Sequence, residues 1–174
     1  MTPESFIERT LRRYERPLVS YARAITGDLD SARDAVQETF LRLSRQNLEE
    51  IEPRVAPWLF FVCRNCALDH CRKIARFSAE PVDDDAPDHG PSPAESASAQ
   101  EDAARLRHLI QRLPERQREL VSLKFDAGLS YREISEATRL SVSNVGVQLH
   151  NAIQTLRTLW NRDPLKDAES LPLS

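Results

Sequence analysis

The chain has 174 residues, room for one domain or two small ones, and its 40% hydrophobic and 29% charged content is that of an ordinary soluble globular protein. No apolar run approaches the roughly 18 residues needed to span a bilayer, and Met1-Thr-Pro-Glu-Ser5 has neither the basic nor the apolar segment of a signal peptide. The net charge of −3 hides a segregation: residues 1–77 hold 13 Lys/Arg against 11 Asp/Glu, residues 78–102 hold 8 acids and no base, and residues 103–174 hold 11 bases against 8 acids. Two mildly basic halves therefore flank an acidic strip, so the overall negative charge does not exclude a nucleic-acid partner.

Thr2-Pro3-Glu4 reads as the cap, first residue and first-turn acid of a helix. Ile7, Leu11, Tyr14, Leu18, Tyr21 and Ile25 extend it at spacings of three and four to about Thr26, with Pro17 predicting a kink or short break and Gly27 ending it. Asp28 or Asp30 caps a second helix with Ala32, Val36, Phe40 and Leu43 as its apolar stripe. Arg33, Asp34, Gln37, Glu38 and Arg42 lie on the other face. Asn47 to Ala56, interrupted by Pro53, is expected to be a loop.

A third helix is predicted from Pro57 to about Phe77. At 100° per residue, Asn65, Asp69, Arg72 and Arg76 fall on one side with Trp58 and Phe61 near the same line. Leu59, Cys63, Cys66, Ala67, His70 and Ile74 collect opposite. The run Cys63-x2-Cys66-x3-His70-Cys71 tempts a zinc reading, but all four lie on one helix and no second cluster completes four ligands. They read instead as buried, small apolar residues, and as reduced thiols of a cytoplasmic chain. No cofactor is expected.

Residues 78–100 change composition, with Asp83-Asp-Asp85, prolines, Gly90 and Ser/Ala repeats, and read as a flexible acidic linker. Its bland role is a tether; a sharper one is to mask a basic surface by mimicking nucleic-acid charge. Glu101 to Leu113 is amphipathic, and Leu113-Pro-Glu-Arg-Gln-Arg118 opens a further helix with Pro114 in its first turn. Gly128 breaks the pattern. Ser130-Tyr-Arg-Glu133 is a capping box for a short helix to about Arg139, and Ser141 caps a longer one carrying Val142, Val145, Leu149, Ile153 and Leu156. Two helices across a tight turn, the second longer, form a helix-turn-helix, although the same pattern also fits a plain helical hairpin. The fold class is thus all-α. Two small helical domains, residues 1–77 and 101–162, are joined by the 78–100 linker and followed by a disordered tail, 163–174.

Four stretches together resemble the bacterial extracytoplasmic-function (ECF) sigma factors, the two-domain group of the sigma-70 family. Asp34-Ala-Val-Gln-Glu-Thr-Phe-Leu-Arg42 is similar to the segment by which they dock on polymerase. Pro57-Trp-Leu-Phe-Phe-Val-Cys-Arg-Asn-Cys-Ala-Leu-Asp-His-Cys-Arg-Lys73 is similar to the helix that melts and reads the −10 element. The family's Asn-x3-Asp-x2-Arg pattern is present as Asn65, Asp69 and Arg72. Leu113 to Arg118 and Ser130-Tyr-Arg-Glu-Ile134 match the start of its −35-binding domain.

The resemblance implies an RNA polymerase sigma factor in the cytoplasm, whose partners are core polymerase (β′ clamp helices and β flap), promoter DNA and an anti-sigma factor able to hold it at the inner membrane. No small-molecule substrate is implied. Polymerase docking falls to Asp34, Gln37, Glu38 and Arg42. The −10 element falls to Trp58, Phe61, Arg64, Asn65, Asp69, Arg72, Lys73 and Arg76, a set that suits the chemistry. Aromatic pockets hold flipped bases, cations hold phosphates, and Asn and Asp bond to base edges. The −35 element falls to Arg132, Arg139, Ser143, Asn144, Gln148, His150 and Asn151.

Here the chain departs from the family. Where relatives carry arginines or lysines, Asn144-Val-Gly-Val-Gln-Leu-His-Asn-Ala152 has none, and Leu140 to Leu156 contains no Lys, Arg, Asp or Glu. Phosphate contacts must then come from Arg132 and Arg139, with Lys124 and Arg118 nearby. Two other readings are a sigma-like adaptor that binds polymerase or an anti-sigma partner without strong promoter binding, and a helix-turn-helix regulator. The four histidines lie in separate elements with no nucleophile, phosphate loop or metal set beside them, so an enzyme is not expected.

Overall fold

A computed structural model describes residues 3–77 and 97–162, and these are helical throughout, with short turns and no strand among them. Most of the expected linker and the whole expected tail lie outside the described residues. The first half comprises α1 (Pro3–Thr26), α2 (Leu29–Leu43), the single turn α3 (Leu48–Ile51), a 3₁₀ turn (Glu52–Arg54) and α4 (Val55–Phe77). The second comprises α5 (Ala97–Gln111), α6 (Glu115–Val121), a π-helical turn (Ser122–Asp126), α7 (Tyr131–Thr138) and α8 (Val142–Arg162).

Local chemistry places the ends. Gly27, at φ 84°, donates to the Arg23 carbonyl at 2.9 Å and closes α1, a left-handed position that glycine takes without steric cost. Asp28 then caps α2 by accepting from the Ser31 amide at 2.8 Å, and Ser31, through its hydroxyl first and its amide second, holds the Asp28 carboxyl below the ordinary range. The Ser130 capping box forms in full: Ser130 Oγ accepts from the Glu133 amide, and Glu133 Oε2 accepts from the Ser130 amide at 2.8 Å. Ser141 Oγ accepts from the Asn144 amide at 3.1 Å and starts α8.

Four expectations need correction. Pro17 does not break α1, which stays helical to Thr26. Asn47 to Ala56 is not a loop: Asn47 caps the short α3, a 3₁₀ turn follows at Pro53, and α4 begins at Val55, two residues early. Helix α5 starts at Ala97, inside the stretch expected to be linker. Pro114 is the cap of α6 and stands just ahead of the first turn in which it was expected, with φ −52° and ψ 143°.

In the first half α1, α2 and α4 pack mutually around Leu18, Tyr21, Ala32, Val36, Leu43, Leu59, Phe60 and Cys63. The Tyr21 and Phe60 rings meet edge to face with centroids 5.4 Å apart and planes at 71°, a geometry worth about 0.5–1.5 kcal/mol beyond burial. The stripe of α1 is turned from the expected one near its start, where Phe6 and Thr10 are buried and Leu11 is exposed. In the second half α6, α7 and α8 enclose Leu120, Leu123, Ile134, Ala137, Val145 and Leu149. The two halves are not held apart: α7 lies along α4, the π turn touches α1, and buried residues of both belong to one continuous cluster.

Candidate nucleic-acid interface

Helix α4 buries Leu59, Phe60, Cys63, Cys66 and Ala67 and turns Asp69, Arg72, Lys73 and Arg76 to solvent. Asn65 is half-buried between them, and Asp69 pairs with Arg72 at 3.1 Å. Trp58 is half-buried and packs against the core. The cysteines divide: Cys63 and Cys66 are buried and Cys71 only partly so. Burial pushes the Cys63 thiol up to about 12 and raises the other two. No cluster of three or more metal-ligating side chains occurs among the described residues.

Phe61 and Arg64 meet the second half. The Arg139 guanidinium sits 4.5 Å from the Phe61 ring centroid, and Arg64 Nε donates to Glu119 Oε1 at 2.8 Å. Tyr21 Oη donates to the same oxygen at 2.7 Å, and Arg116 Nη1 to Glu119 Oε2 at 2.6 Å. Arg116 Nη2 continues to the Thr138 carbonyl at the end of α7. Glu119 thus accepts from three donors on three helices with only 13% of its side chain exposed. Burial first, and the Glu119 carboxylate second, push the Tyr21 phenol well above its ordinary value. Nothing in the spacing of Tyr21, Arg64 and Glu119, residues from separate halves, signals this network.

On α8 the exposed face carries Ser143, Asn144, Val147, His150 and Asn151, with Gln148 half-buried and Val145 and Leu149 inside. Val147, 57% exposed, was not among the expected contacts, although its place one turn beyond Ser143 is a legible sign. Gly146 faces inward: a Cβ there would lie 3.6 Å from the Tyr131 ring. Of the four expected helpers, Arg132 and Arg139 are exposed. Lys124 donates to the Leu129 carbonyl at 3.2 Å and lies over Tyr131, and Arg118 bonds to Gln111. On α2, Asp34, Gln37 and Arg42 are exposed and Glu38 partly so. Arg42 Nε donates to Glu38 Oε1 at 2.8 Å, a bond that lowers the Glu38 carboxyl and raises the Arg42 guanidinium.

Between the halves runs a groove of about 1000 Å³, lined by Ile110, Phe125, Leu156 and Trp160 with Arg23 and Arg107 at its sides.

Comparison with known proteins decides what this arrangement belongs to. Residues 10–77 match the family model of sigma-70 region 2, and residues 103–156 match that of sigma-70 region 4. SigL of Mycobacterium tuberculosis, an ECF RNA polymerase sigma factor, is 33% identical over 144 residues, which cover 79% of this chain and 78% of that one. The chain belongs to the ECF RNA polymerase sigma factors. SigM of Bacillus subtilis is 29% identical over 159 residues, covering 90% of this chain and 96% of its own. Two solved structures share the fold. CnrH, in complex with the cytosolic domain of CnrY, has a TM-score of 0.61 at 22% identity, covering 92% of this sigma factor and 90% of CnrH. RpoE of Bartonella quintana, in complex with the anti-sigma factor NepR, has a TM-score of 0.66 at 21% identity, covering 90% and 97%. As a sigma factor the protein acts in promoter recognition by RNA polymerase, with region 2 built from α1, α2 and α4 and region 4 from the helices after Ala103.

Proposed function

We propose that this sigma factor melts and reads the −10 element with α4 and contacts the −35 element with α8. The carrying observation is the outer face of α4, where Asn65 and Asp69 lie beside the exposed cations Arg72, Lys73 and Arg76, and Phe61 and Arg64 continue the face toward α7. Amide and carboxylate read base edges, cations hold phosphates, and the aromatic ring stacks an extruded base. Residues 1–77 and 101–162 serve as the two working domains, with 78–100 as the tether and 163–174 as a tail. Core polymerase docks on the exposed face of α2 through Asp34, Gln37, Glu38 and Arg42, against the β′ clamp helices, and the second domain meets the β flap.

The protein performs no chemistry of its own and works in the cytoplasm, and no helix among the described residues is long and apolar enough to cross a membrane. CnrY and NepR, bound to the two similar structures, support an anti-sigma partner here, and the apolar groove between the halves suits such a ligand. The charge-free face of α8 favours a division of labour in which the −10 half chooses promoters. Run-off transcription with core polymerase on a promoter library tests the whole reading. Specific transcripts that depend on Asn65 and Asp69 are expected; core enzyme that neither binds the chain nor initiates with it overturns it.

A further inference from the structure

An open hollow of about 720 Å³ beside α1 shares no residue with the outer face of α4. Five arginines border it, Arg12, Arg13, Arg16 and Arg23 from α1 and Arg33 from α2, against two acids, Glu15 and Asp126. At 100° per residue, Arg12, Arg16 and Arg23 fall within about 40° of one another, a row roughly 16 Å long on α1. Like charges one turn apart, as Arg12 and Arg16 are, disfavour the helix that carries them. Nothing in the fold relieves them: among the described residues, the side chains of Arg12, Arg16, Arg23 and Arg33 make no ion pair or hydrogen bond. Elsewhere on the first half arginines do pair, Arg9 with Glu52, Arg42 with Glu38 and Arg72 with Asp69. Arg23 Nε is buried without an acceptor, a costly state that an anion at Arg23 would end.

The chemistry of the border selects the anion. A guanidinium presents a fork of donors that matches paired phosphate oxygens. A lone phosphate reaches one or two arginines of a row about 16 Å long, whereas a chain of phosphates meets them all. A nucleic-acid strand would bring bases as well, and the hollow offers them neither an aromatic ring to stack on nor an asparagine or glutamine to read them. We propose that the hollow between α1 and the start of α2 binds inorganic polyphosphate along the Arg12, Arg16 and Arg23 row, with Arg33 meeting the chain from α2. The site is independent of the roles given above to α4, α8 and the docking face of α2.

The full-length protein would be titrated into end-labelled, medium-chain inorganic polyphosphate and binding read by fluorescence anisotropy. Unlabelled tripolyphosphate, orthophosphate and a randomised single strand of DNA serve as competitors, and circular dichroism reports helix content. The wild type should bind the labelled chain, with tripolyphosphate displacing it weakly and orthophosphate more weakly still. A triple variant, Arg12→Gln with Arg16→Gln and Arg33→Gln, changes exposed side chains only and should bind about tenfold more weakly with helix content intact, exposed charge contacts being individually modest. Arg45→Gln with Arg54→Gln and Arg112→Gln removes the same charge at exposed positions outside the hollow and should bind as the wild type does. If the first variant lost helix, Arg16→Gln alone, expected to weaken binding by about twofold, would decide the matter. No binding by the wild type, or equal weakening in both triple variants, overturns the proposal. DNA that displaces the chain as readily, phosphate for phosphate, would make the hollow a nucleic-acid surface and overturn it too.

Discussion

Arg139 ends α7 in a left-handed conformation, φ 62°, and from that position lays its guanidinium over the ring of Phe61, 78 residues earlier in the chain. A non-glycine residue there costs on the order of 1 kcal/mol, which asparagine largely avoids. A double-mutant cycle of Arg139→Asn and Phe61→Leu, followed by urea unfolding of the whole chain, should therefore give a coupling of about 0.5–1 kcal/mol. Strict additivity would mean the contact is not made in solution.

The face of α2 gives a test of docking that is independent of stability. Glu38→Lys replaces a partly exposed carboxylate whose ion pair is with exposed Arg42, so the melting temperature should hold. Retention on immobilised core polymerase should fall. Unchanged retention after substitution of Asp34, Gln37, Glu38 and Arg42 together would move the docking surface elsewhere.

For the −10 strand, Asn65→Ala and Asp69→Ala should change base preference, whereas Arg72→Ala should weaken binding to every sequence and make its salt dependence shallower. The Asp69–Arg72 pair adds a refinement. Asp69→Ala releases the Arg72 guanidinium, so loss of preference should come with undiminished affinity for non-cognate strands. A uniform loss across sequences in all three variants would contradict this division.

At α8 the cations that the chain lacks can be supplied where the helix faces outward. Gly146 lies against Tyr131, and Gln148 is half-buried, so Asn144→Lys with Val147→Arg is the better pair. On a mixed-sequence duplex, the full-length double variant should bind more tightly than wild type. Its logarithmic salt slope should be steeper by about 0.9 for each new phosphate contact. If the wild type already shows steep salt dependence, its cations sit elsewhere.

Alkaline pH should loosen the first half. Burial raises both the Cys63 thiol, up to about 12, and the Tyr21 phenol above its ordinary value. Each group favours its protonated form in the folded state. The stability it contributes is complete below its unfolded pKa and is lost as pH rises toward the folded value. The urea midpoint should fall from about pH 9 upward, first through the thiol and then, above about 10, through the phenol. Cys63→Ala should reduce the earlier part of the fall, with Cys66 and Cys71, whose thiols burial also raises, supplying the remainder. A midpoint flat to pH 12 would show that neither group is held as it stands in the fold.

Features set by neighbours in sequence were legible: the Ser130 box, the Gly27 stop, the Asp28 cap and the outward face of α4 all depend on groups within a turn or two. Asn47 before Leu48-Glu-Glu-Ile51 also carried a cap signal, but one turn of helix is too short for periodicity to register. The π turn at Ser122–Asp126 has no sequence mark, and the spacing of three and four that joins Ile7 to Ile25 does not show that Phe6 and Thr10, not Leu11, face the core near the start of α1. The largest omission is the contact between halves. Composition divides the chain into charge blocks, but Tyr21 and Glu119 stand 98 residues apart, and no local rule connects them.

That separation also orders events during synthesis. Arg64 leaves the ribosome 55 residues before Glu119. At 5–20 residues per second this is an interval of about 3 to 11 s in which the first half, with its own core of α1, α2 and α4, is exposed before its partner exists. Throughout it, Phe61 and Arg64 lack the contacts that Arg139 and Glu119 give them in the complete chain, so this face of the first half is the last of its surfaces to be covered.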